Sequence, residues 1–135
     1  MSALQSALAW TYYLVFIAFS LSFGYIARLR PFTLLVRSFL LLMGLMALWA
    51  FSMTISTVAP TMQMALFWRK ISAFGWGTVY SVVLHVCLEF SGSTLHKKRP
   101  WLLGLIYAPA LINLVVFALL GAYSDQNYHL VMTVW

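Results

Sequence analysis

The sequence predicts an all-α integral membrane bundle whose chain crosses the bilayer four times, and three observations carry that expectation. Of the 135 residues, 64% are hydrophobic and 7% are charged, with a mean hydropathy of +0.93, whereas soluble domains carry about a quarter charged residues. Four apolar stretches each come close to the roughly 20 residues needed to span a hydrocarbon core about 30 Å thick. The Lys and Arg side chains gather in small groups beside those stretches, which is how membrane proteins place them. Glu89 and Asp125 are the only acidic residues. A water-soluble globule of this size would therefore lack the charged skin that solubility demands.

The first stretch, Leu8 to Ala27, resembles a signal peptide only in position, because Met1 to Ala7 holds no Lys or Arg and the apolar run exceeds an h-region. It reads as a retained helix. The second runs from Phe32 to Ile55 and contains Arg37, near enough to its start to snorkel to the headgroups. The third runs from Ile71 to Phe90, and the fourth from Trp101 to Leu120. Unsatisfied backbone groups are so costly in lipid that each stretch must be helical, and the runs are too long and unbroken for barrel strands. Pro31 and Pro100 stand where a helix can begin without its first N–H. Trp10, Tyr12, Tyr13, Trp68 and Trp101 mark the expected interfaces.

Charge placement sets the expected orientation. Arg28, Arg30 and Arg37 flank the first turn, and Lys97, Lys98 and Arg99, with His96, fill the loop after helix three; the other side holds only Arg69 and Lys70. The positive-inside rule then puts the amino terminus and the segment from Gly121 onward outside. No repeat, low-complexity tract or linker divides the chain, so residues 1–135 read as one transmembrane domain.

Helix three carries the polar residues that matter. At about 100° per residue, Gly75, Thr78, Ser81, His85 and Glu89 fall within an arc of about 120°, while Val79, Val83 and Val86 lie outside it. Such a face should look into protein and not lipid. Glu89 is the one acidic residue in an expected span, and His85 lies a turn before it, where the two can pair or share a proton. Glu89 also sits close to the basic loop, so an anchoring role and a signalling role both stand. In helix four, Gly104 and Ala108 form a small-xxx-small pair, Pro109 removes a backbone donor, and Asn113 offers an amide one turn later.

Several function classes fall away. The net charge of +6 is distributed as topology signals, so nucleic acid is not an expected partner. Gly75-Trp76-Gly77 lies within a membrane helix and not in a strand-to-helix loop, so it cradles no phosphate. His85, His96 and His129 fall at different expected depths and cannot close one metal site. Cys87 lies inside an apolar run, where a small packing residue is expected. Nothing combines nucleophile, base and oxyanion donor, so neither a catalytic residue nor a cofactor is expected.

Particular segments resemble a known family. These are Ala47-Leu48-Trp49-Ala50, Pro60, the run Leu66-Phe67-Trp68-Arg69-Lys70-Ile71-Ser72-Ala73-Phe74-Gly75, Leu88-Glu89-Phe90-Ser91-Gly92 and Ile106-Tyr107-Ala108-Pro109. Together they are similar to the amino-terminal seven-helix sensor region of bacterial histidine kinases, shared with related diguanylate cyclases. The resemblance implies an input module in the bacterial cytoplasmic membrane, with a kinase core or cyclase domain following in the cytoplasm. It further implies that the chain covers about the first four of seven helices. It assigns no ligand.

The expected partners are the lipid bilayer, further transmembrane helices or a second copy, and a small or lipophilic stimulus. Short loops leave such a stimulus to enter through the bundle, the bilayer or the segments around Ser56 to Gln63 and Gly121 to Trp135. The rivals are a small four-helix transporter and an assembly subunit of a membrane complex. Glu89 lies near the end of its helix, whereas a transport coupling site belongs near the midplane.

Overall fold

A computed structural model of the chain describes residues 3–29, 33–92, 99 and 101–119. The described residues form helices only: α1 (Ala3–Ile26), α2 (Leu34–Val58), α3 (Met62–Phe90) and α4 (Trp101–Leu114), the last running on into a π-helical segment at Val115–Leu119. The first three are long and apolar enough to cross a membrane. At about 1.5 Å per residue, even α1, with its 24 residues, reaches about 36 Å.

The helix boundaries differ from the expected ones for reasons visible in the caps. Helix α2 begins at Leu34, not Phe32, because the Thr33 hydroxyl accepts from the Val36 N–H at 3.3 Å and so starts the helix there. Arg37 consequently lies in the first turn, and its side chain is exposed. The helix continues past Ile55 to Val58, where Ala59, held extended by the following Pro60, ends it. Helix α3 begins nine positions earlier than its expected start at Ile71: Thr61 caps it by accepting from the Met64 N–H at 3.3 Å. Trp68, Arg69 and Lys70 are thus helical and not part of a loop. At the other end of α3, Gly92 takes a positive φ of 68° and its N–H closes onto the Glu89 carbonyl at 3.1 Å.

Helix α2 packs against both α1 and α3, and α4 leans on α3. The tight connections make successive helices antiparallel. One end of the bundle therefore gathers the start of α1, the end of α2 and the start of α3, and the other gathers the end of α1, the start of α2, the end of α3 and the start of α4.

The interior is built from small side chains. Ala50, Ser52 and Ala73 are fully enclosed, and the largest side chains with almost no exposure are Val82, Ser52 and Ser72. Large apolar residues point the other way: Leu14, Leu21, Phe67, Tyr80, Phe90, Leu105 and Leu111 are all exposed. This is the arrangement of a bundle solvated by lipid, where helix contact depends on close backbone approach and lipid tails cover the bulky residues. The hydroxyls comply with the same solvent. Ser52 donates to the Leu48 carbonyl at 2.7 Å, Thr54 to Ala50 at 2.9 Å and Thr57 to Met53 at 2.8 Å, each satisfied within its own helix.

Candidate functional site

Helix α3 lies between two neighbours, and its two central glycines serve one each. A Cβ at Gly75 would lie 2.5 Å from the Trp49 Cβ and 2.7 Å from the Leu45 carbonyl oxygen, so this is where α2 and α3 touch backbone to backbone. A Cβ at Gly77 would come within 3.4 Å of the Asn113 Cβ on α4. Trp76 between them meets Phe117 edge to face, with ring centroids 5.0 Å apart.

Two turns further along, α3 meets α4 through polar atoms. The His85 Nδ1 lies 2.9 Å from the Tyr107 hydroxyl, and the two rings stand at 89° to one another. The other imidazole nitrogen, Nε2, is 3.9 Å from Glu89 Oε1. That separation exceeds hydrogen-bond length and makes an ion pair when the imidazole is protonated. With its proton on Nε2, the ring accepts from Tyr107 and turns an N–H toward Glu89; with its proton on Nδ1, it donates to Tyr107. Both side chains are largely enclosed, at 19% exposure for His85 and 9% for Glu89. The arrangement can hold a proton between two helices and change which partner receives it.

The remaining residues singled out from sequence fall into groups. Ser81 is buried, and the Thr78 hydroxyl turns back to the carbonyls of Phe74 at 2.6 Å and Gly75 at 3.2 Å. Val79 and Val83 lie off the enclosed face, but Val86, placed with them by the periodicity, is buried at 7% exposure. The enclosed sector is wider than one stripe because α3 is flanked on two sides. Pro109 lies inside α4. Gly104 has open space where a Cβ would stand, so the Gly104 and Ala108 pair seats no described helix at its glycine. Cys87 is exposed and is not a packing residue within the described bundle.

Arg28, Arg37 and Arg99 are exposed and belong to one end of the bundle. Arg30, Lys97, Lys98, His96, His129, Asp125 and the segment from Gly121 to Trp135 lie outside the described residues.

Two features were not anticipated from sequence. In sequence Tyr107 stands out only within a family-like segment, yet it is a partner of His85; a hydroxyl-bearing ring within an apolar helix is the available signal. Ser56 and Arg69 form the second. The Ser56 hydroxyl donates across to the Ala65 carbonyl at 3.1 Å and accepts from the Arg69 Nε at 3.3 Å, tying the end of α2 to the start of α3.

No curated protein and no solved structure matches the chain. A protein-family comparison does: residues 11–134 match the family described as the N-terminal 7TM region of histidine kinase. That family is a membrane-embedded input region and not the catalytic part of a kinase. An all-helical bundle with small-residue seams and an apolar exterior fits that description, and the chain belongs to the family of histidine kinase N-terminal 7TM regions.

Proposed function

We propose that this chain receives a small or lipophilic stimulus within the bacterial inner membrane, where its four helices all cross the bilayer, and relays it by repacking α4 against α3 to a cytoplasmic kinase or cyclase domain. The family match over residues 11–134 carries the reading. The chemistry of the α3 seams supports the relay. A switch needs two packings of similar energy, and the α4 side of α3 offers a hydrogen bond that can be remade, where the α2 side offers a backbone contact that cannot move without a clash. Further transmembrane helices or a second copy complete the assembly in this reading.

The orientation that goes with it puts the His85 and Glu89 end in the cytoplasm, beside Arg28, Arg37 and Arg99. A reporter active only in the cytoplasm should therefore work when fused after Lys98 and be silent after Asp125. Activity after Asp125 would reverse the arrangement. The relay itself is tested by exchanging residues 11–134 for the corresponding helices of an unresponsive family member. Autophosphorylation or cyclase output in membranes should lose its stimulus dependence, and an unchanged dose response would reject the input role.

A further inference from the structure

Between the two contacts that join α3 to α4 lies a stretch of seam with polar groups of its own. The Gly77 position meets the Asn113 Cβ, and further along α3 His85 meets Tyr107, so the two helices run antiparallel and Ser81 stands opposite Ala110. Ser81 is 4% exposed and Ala110 3%. We propose that this seam holds a short file of water, entering at the Glu89 end and closed beyond Asn113, with the Ser81 hydroxyl and the Asn113 amide as its binding groups. The proposal rests on the part of the reading above in which α3 and α4 cross the bilayer, and not on the signalling role.

Protein groups leave both side chains unsatisfied. Among the described residues, no hydrogen bond engages the Ser81 hydroxyl or the Asn113 amide, whereas the neighbouring Thr78 hydroxyl turns back to carbonyls of its own helix. The Ser81 oxygen is not sealed off, so a share of the residue's small exposure belongs to the atom that needs a partner. Cα–Cβ bonds tilt toward the N-terminus of their helix. In this antiparallel pair Ser81 therefore leans toward Gly77 and Asn113 toward Ala110, and the two approach one another from opposite helices. A hydroxyl and a primary amide together supply both donors and acceptors, as a buried water with about two to four partners requires. A polar group left dry in hydrocarbon is costly, and water is the partner small enough for a seam lined by Gly77, Ser81 and Ala110.

The two ends of the seam differ. Beyond Asn113, Trp76 meets Phe117 with ring centroids 5.0 Å apart, and this aromatic contact stops the file in that direction. Toward the other end the seam stays polar, passing the His85 and Tyr107 contact at 2.9 Å and then Glu89, one turn past His85. Ser81 stands nine residues before the end of α3 at Phe90, which is about 14 Å at about 1.5 Å per residue, close to half of a hydrocarbon core about 30 Å thick. Water bound at Ser81 therefore lies deep within the span, on the face where α4 meets α3.

The test measures how fast silver ions, comparable to water in size, cap a cysteine in the full chain in lipid vesicles. Cys87→Ala serves as the background, and free thiol is counted with a maleimide after unfolding in detergent. Ser81→Cys should react about tenfold or more faster than Tyr80→Cys, which shares its depth but is 79% exposed on the outer surface, because an ion reaches a thiol through water and not through hydrocarbon. A second measurement leaves Ser81 in place and keeps the proposal testable if a cysteine variant misfolds. Asn113 and Asn127 are the only asparagines, so isotope-labelled asparagine gives two side-chain amides, told apart by Asn127→Gln. In solid-state NMR of the protein in lipid, magnetisation should pass from water to the Asn113 amide. Slow silver reaction at both cysteines, or an Asn113 amide that receives nothing from water, overturns the water file and leaves the bilayer crossing intact. Fast reaction at both would show that α3 is not in lipid at this depth, and would overturn the crossing together with the file.

Discussion

The two faces of α3 solve the same problem of joining helices in lipid by different means. Toward α2, contact depends on the absence of a side chain at Gly75, where the Trp49 Cβ and the Leu45 carbonyl occupy the place a Cβ would need. Toward α4, contact at Gly77 is ordinary van der Waals approach, and the specific link is one hydrogen bond between His85 and Tyr107. The first kind of joint leaves little room for a slide, which would drive backbone toward backbone. The second can exchange its donor and acceptor without moving a helix axis. The contrast separates a tightly packed frame of α2 and α3 from an α4 joined to it by a side-chain hydrogen bond, and in the proposed relay α4 is the element that responds.

The largest effect should come from breaking the frame. Gly75→Ala is expected to lower thermal stability in detergent by about 1–3 kcal/mol, and Gly75→Leu to abolish a monodisperse species, while Val79→Leu, off the enclosed face, is tolerated. Gly77→Ala should cost far less than Gly75→Ala. Equal losses at the two glycines would erase the distinction between the faces. Next in size is Tyr107→Phe, which removes the hydroxyl that His85 meets and should destabilise by about 1 kcal/mol. The same change made in a His85→Gln background should add much less, since the two residues share one interaction; full additivity would show that the bond contributes nothing.

Glu89→Gln comes third, keeping shape and losing charge. Abundance and melting temperature should fall slightly at most, and the stimulus response of the intact protein should shift if the imidazole and carboxylate exchange a proton during signalling. A normal dose response would leave Glu89 as an anchor for the basic end of the bundle. The smallest effect is expected at Gly104→Ala, where open space awaits the methyl and the backbone gains helix propensity of about 1 kcal/mol or less. A loss of stability there would reveal that α4 is covered on that side by another helix.

Much of the fold was legible because lipid imposes simple rules. Four apolar runs near the required length become four helices, and helix is the only open structure those runs can adopt. What the rules do not encode is where a helix stops relative to the hydrocarbon. Arg69 and Lys70 look like the edge of a span in sequence, yet the helix begins at Met62 because Thr61 after Pro60 provides a cap. The face of α3 was half legible for a geometric reason. Ala65, Leu66, Ser72 and Ala73 are buried on one side of its first half, and Ser81, Val82 and Val86 on a different side of its second half. A single periodicity read over the second half gives Gly75, Ser81 and His85, and misses the sector that admits Val86. Tyr107 lies 22 residues from His85, beyond the reach of any periodic argument. The Gly104 and Ala108 pair meets no described helix at its glycine, because a small-xxx-small spacing marks a surface that can be packed and does not say by which helix.

The scarcity of bulk inside this bundle also sets the direction in which its sequence can drift. In a water-soluble domain the gravest replacements empty the core, since a lost Leu or Phe leaves a void. Here Val82 is the largest of the nearly inaccessible side chains, and Ala50, Ser52, Ser72 and Ala73 have almost nothing to remove. Subtraction is cheap and addition is ruinous, so a saturation scan of α2 and α3 should show intolerance concentrated at the smallest residues and indifference among the large ones turned toward lipid.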